Sequence, residues 1–154
     1  MSLIQELMNQ SAVGGSFQPG LIKRFSPQEI RETIQVLVAS EQIDMAYALG
    51  DAGLAIYPNS EDMLAICGLL AVMHQDWPTA VELLQELVEL QGPNIQPFTY
   101  VMLVRALRCN LDPAAALRVA NQGLQYYPEQ LELIAERLAL ADFGDALVDS
   151  GIKH

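Results

Sequence analysis

From Ser26 onward apolar residues recur three and four positions apart, the spacing that lines one face of an α-helix. No stretch alternates apolar and polar residues as a half-buried strand would. Start signals punctuate the pattern. Ser26-Pro27-Gln28-Glu29 is a capping box with proline in the first turn, and it predicts a helix that turns Ile30, Ile34, Leu37 and Val38 inward. A partner helix follows from about Gln42 to Tyr57. Ser60 caps a third helix running to about His74, and Asp76 with Pro78 starts a fourth that carries Ala80, Val81, Leu83, Leu84, Leu87, Val88 and Leu90. Pro97 opens a fifth, to about Cys109. Asp112-Pro113 repeats the Asp-plus-Pro start for a sixth ending at Tyr127, and residues 129–141 form a last amphipathic helix with Leu131, Ile134, Leu138 and Leu140. Residues 143–154 add at most one further short turn.

The helices fall into pairs, and the pairs repeat. Ala46, Ala80 and Ala116 are 34 and 36 residues apart, the longer interval containing the extra residues from Gly92-Pro93 to Gln96. The segments ending at Tyr57-Pro58 and Tyr127-Pro128 share Gly53/Gly123 and Leu54/Leu124 as well. Gly68 lies in the middle of a helix, where glycine costs about 1 kcal/mol against alanine unless another element must approach closely. It predicts a helix–helix contact at that point, with Ala80 on the other side.

Within the central pair, Leu64-x2-Cys67-Gly68-x2-Ala71, then Ala80-x3-Leu84, then Pro93 resembles the tetratricopeptide repeat, written W-x2-L-G-x2-Y, A-x3-F, P. Three of the family's aromatic positions are aliphatic here, while Trp77 supplies an aromatic at the turn. The resemblance implies an all-α helical-hairpin solenoid of about three repeats plus a C-terminal capping helix, over residues 21–154. It also implies a concave face lined by the first helix of each repeat. On that face it would place Arg31, Gln35 and Val38 from repeat one, Ala65, Leu69, Val72 and Met73 from repeat two, and Val101, Arg105 and Arg108 from repeat three. The Lys and Asn set with which one branch of the family holds chaperone C-terminal carboxylates is missing at these positions. A narrower resemblance links the chain to small acidic type III secretion chaperones, through a short N-terminal helical arm, three repeats, and the Pro97-Phe98 start of repeat three.

Composition narrows the partners. A net charge of −11, with only eight basic residues against nineteen acidic ones, disfavours nucleic acid and acidic membrane surfaces. No run of eighteen apolar residues free of charge occurs, and the first residues carry no basic group, so neither membrane insertion nor a secretory signal is expected. Two cysteines, Cys67 and Cys109, fit free thiols in a reducing cytoplasm. Half the chain, 51%, is hydrophobic, enough for its own core.

Candidate chemistry is sparse. The sequence has no phosphate loop, HExxH, CxxC or nucleophile elbow, and no cofactor or metal ligand set. His74 sits at a helix end, where it reads as a cap, and Glu82, Glu86 and Glu89 read as a solvated face. The expectation is therefore a non-catalytic protein that binds a protein or peptide client in the groove, with an apolar centre and three arginines around it. The competing reading makes Leu69, Val72 and Met73 core and pairs the arginines with local acids. A second function class is a structural module for self-assembly or scaffolding. The arm at residues 2–9 puts Leu3, Ile4, Leu7 and Met8 on one side, ahead of a Gly/Ser/Pro-rich linker. It either folds back or stays disordered, or it mediates a homodimer.

Overall fold

The computed structural model describes residues 19–147, with side chains for residues 20–142. The expected arm, Leu3 to Met8, lies outside the described residues. Among those described, every regular element is helical: α1 (Pro19–Ile22), α2 (Pro27–Ala39), α3 (Ile43–Ile56), α4 (Glu61–Met73), α5 (Trp77–Gln91), α6 (Pro97–Cys109), α7 (Pro113–Tyr126) and α8 (Leu131–Leu147). A 3-10 turn at Gly92–Asn94 absorbs the longer interval before the third pair. Pairs α2/α3, α4/α5 and α6/α7 stack in sequence, and α8 closes the array.

The starts are local chemistry. Ser26 Oγ accepts from the Glu29 N–H at 3.1 Å, and Glu29 Oε1 accepts from the Ser26 N–H at 3.0 Å, completing the capping box. Ser60, Asp76 and Asp112 each accept from the backbone N–H three residues on. Each hairpin turns through one residue in the left-handed region: Glu41 at φ 62°, Gln75 at 59° and Leu111 at 62°. In each turn that residue's N–H and the next one reach back to carbonyls of the first helix; Leu111 bonds Arg108 O and Asp112 bonds Leu107 O. No glycine was available as a sequence marker, yet all three turns are alike.

Packing inside the hairpins follows complementary volumes. A methyl group added at Gly68 in α4 would lie 2.9 Å from Leu84 Cδ2 in α5. The equivalent positions of the first hairpin hold Ile34 and Gly50, and a methyl group at Gly50 would lie 3.0 Å from Leu70 Cδ1 of α4 before meeting Ile34 Cδ1 at 3.9 Å. The third has Val104 and Ala120, both fully buried. The Tyr57/Tyr127 echo is structural too: each hydroxyl donates at 2.8 Å to a backbone carbonyl ahead of its own repeat, Phe25 O and Ile95 O respectively.

Two boundaries differ from the sequence reading. Pro19 and Gly20, read as linker, belong to α1, because Leu21, Ile22 and Phe25 have a core to enter and pack on α3. The last helix runs on to Leu147 instead of ending near Ala141. The expected exposure of Glu82, Glu86 and Glu89 holds, and Trp77 is part-buried against the core.

Candidate functional site on the first-helix face

Helices α2, α4, α6 and α8 touch one another in succession, so the first helices form one continuous row. Residues at equivalent places on each helix therefore become neighbours across repeats. The ten groove positions named from the sequence all lie on this row, but they do four different things. Ala65 and Val101 are buried, and they form floor without offering a surface to a partner. Leu69, Val72 and Val38 are part-buried and packed against the core clusters. Gln35 is exposed, and Met73 is 42% exposed.

The three arginines are engaged within the chain. Arg31 Nη1 donates to Asp62 Oδ1 at 3.1 Å, joining α2 to α4. Arg105 Nε reaches Glu136 Oε1 at 3.3 Å, while Arg108 grips the same carboxylate with Nε at 2.7 Å to Oε2 and Nη2 at 3.3 Å to Oε1. Glu136 is only 8% exposed, so this clamp fastens α8 to α6 at a site where an unpaired carboxylate would be costly. The hydrogen bond to Glu136 raises the Arg108 pKa above its already high ordinary value. The geometry matches the half of the competing reading that pairs the arginines with acids of the chain, and departs from the half that makes Met73 core.

A cleft of about 250 Å3 crosses the row, bounded by Arg31 of α2, Ala65 of α4 and Phe98 of α6, with Glu61, Gln91 and Gln96 at its rim. Phe98 is 41% exposed although the core is close by. It is the main residue that sequence reasoning left out of the site. Pro97-Phe98 stood out as a helix start and as the repeat entry behind the narrower resemblance, and nothing local shows that the ring stays outside. Asp62 and Glu136 were missed for a different reason: their partners lie 31 and 28 to 31 residues upstream.

A larger cleft, about 450 Å3, lies on the other side, between α3, α4 and α5; Tyr47, Asp51, Leu54, Cys67, His74 and Leu83 line it. His74 is the last-turn cap of α4, and its ring meets Tyr47 edge-on with centroids 5.1 Å apart. Cys67 donates to Gly50 O at 3.4 Å; burial, helped by Asp51, pushes its thiol up to about 12. A thiol so protonated is a poor nucleophile. Among the described residues no three potential metal ligands cluster, and no helix is long and apolar enough to cross a membrane. The chain matches no protein-family model and no curated protein.

Proposed function

We propose that this chain is a non-catalytic protein-binding repeat module of the adaptor or chaperone kind, which receives an apolar segment of a partner along its first-helix face. The observation that carries the reading is the pair Met73 and Phe98. Each is a large apolar side chain left about two-fifths exposed on a row that three repeats share, with a cleft beside Phe98. Apolar anchors in a groove of helices are a recurrent way to hold an extended or helical segment. With Arg31, Arg105 and Arg108 already bonded to Asp62 and Glu136, apolar contact is the anchor; a partner carboxylate would have to displace an internal one. The net charge of −11 favours a partner with basic flanks, drawn in by long-range attraction.

In its most specific form the proposal is a cytoplasmic chaperone of the type III secretion kind, a form supported by the tetratricopeptide-like spacing and by an exposed Phe98 at the Pro97-Phe98 start. The alternative is a scaffolding module with no client.

Photo-crosslinking tests the face. A benzophenone amino acid placed at Met73 or Phe98 should capture one discrete partner in the native cell, whereas the same group at Glu86 on α5 should not. Met73→Glu and Phe98→Glu should each release that partner while leaving the melting midpoint near wild type. Retention by both variants, with release by Glu86→Lys, would assign binding to the second helices and overturn the proposal.

A further inference from the structure

We infer that the outer face of α8 is a self-association surface, and that it pairs in parallel with α8 of a second copy. The helix is buried on one side only: Leu133, Glu136 and Leu140 enter the array. The end of a stacked array remains comfortably in water when its outer face is polar. Here Leu131 is 78% exposed and Leu138 is 60% exposed. With part-buried Ile134 and exposed Ala141 they read Leu131-x2-Ile134-x3-Leu138-x2-Ala141, the alternating three-and-four spacing of a coiled-coil seam.

Charge selects the occupant and its direction. With those four residues in the seam, Arg137 flanks it on one side and Asp142 on the other. In a parallel helix pair a flanking residue meets the partner's flanking residue five positions further on, and 137 plus 5 is 142. Two-fold symmetry then makes the Arg137–Asp142 pair twice. Neither residue has an ion-pair partner among the described residues. An antiparallel pair would instead set each Arg137 on the same flank as its own copy. Ala135 beside the seam permits close approach. Because the described seam covers only two heptads, the dimer should form at micromolar and not nanomolar concentration.

Sedimentation equilibrium of the full chain, from micromolar to millimolar concentration, should show a monomer–dimer equilibrium. Leu138→Glu should remain monomeric with unchanged helix content, the side chain being mostly outside the core. Arg137→Glu and Asp142→Arg should each raise the dissociation constant roughly tenfold, the loss of about 1.4 kcal/mol. The double variant should return to near the wild-type value, which a merely structural role for either residue would not produce. A wild-type chain that stays monomeric throughout overturns the inference, as does a Leu138→Glu variant that dimerises normally. Tighter association on neutralising Arg137 alone, as Arg137→Gln, would identify antiparallel pairing, in which like charges share a flank, and overturn the parallel one. A dimer that appears only after residues 148–154 are removed would make that tail the occupant.

Discussion

Replacing Gly68 by valine and Leu84 by alanine together would place the third hairpin's size pair, Val104 and Ala120, into the second hairpin. Alone, Leu84→Ala removes a fully buried side chain over Gly68 and should cost about 2–5 kcal/mol, because the helices can close only part of the void. Alone, Gly68→Val puts a Cβ 2.9 Å from Leu84 Cδ2 and 3.1 Å from its Cγ, with two methyls beyond. That overpacking should cost about 1–3 kcal/mol, offset by a few tenths from valine's better helix propensity. Combined, the valine methyls occupy the space the leucine leaves. The double variant should therefore be more stable than Leu84→Ala by itself, and better than the sum of the singles by about 1–3 kcal/mol. Urea denaturation followed by far-UV circular dichroism, with Trp77 fluorescence as a local reporter, measures all four corners of the cycle. For a chain of this size each kcal/mol corresponds to about 2–4 °C in melting midpoint. Additive losses, or a double variant below Leu84→Ala, would refute complementary volume at Gly68 and Leu84 as what fits α4 to α5.

Other outcomes follow from single contacts. Leu111→Gly should stabilise the chain by about 0.5–1 kcal/mol in thermal melts, since a left-handed leucine that is 88% exposed gives up strain and no packing. Tyr127→Phe should cost about 1–2 kcal/mol by leaving Ile95 O without its 2.8 Å donor, and Tyr57→Phe should cost a similar amount in the first repeat. Cys67 should resist alkylation at pH 8 in the folded chain and react once denaturant is added. Its folded pKa, about 12, stands above the ordinary value of 9.0, so the stability it gives is complete below pH 9 and is lost as pH rises from 9 toward 12. Replacing Cys67 with alanine should flatten that alkaline decline in urea midpoints.

Most of the helical order was legible because its signals are local. Ser26, Ser60, Asp76 and Asp112 each act within three residues, and the apolar period reports a face without reference to anything distant. Gly68 was legible as a contact, and its main partner proved to be Leu84, one turn beyond the expected Ala80. The start of the fold was less so: Pro19-Gly20 has the composition of a linker, and only the fit of Ile22 into a core made by α2, α3 and α4 turns it into helix. The face was legible as a row and not as a surface. Helical period cannot distinguish Val101, which is sealed, from Phe98, which stays out, because that depends on the neighbouring repeat.

The arginines illustrate the same limit and one way past it. A cation on the inner row of a stacked array loses water on the side facing the next helix, and a fixed carboxylate there restores what hydration supplied. The acid must then come from the following first helix, about one repeat further along. Both arrays of charge obey this offset, with Arg31–Asp62 and Arg105–Glu136 each separated by 31 residues. The equivalent interval from Leu69 ends at Tyr100, an apolar pair of positions between Arg31–Asp62 toward one end of the row and the Arg105/Arg108–Glu136 clamp toward the other. That division assigns register and helix docking to the charges, while Met73 and Phe98, each about two-fifths exposed, take no part in them.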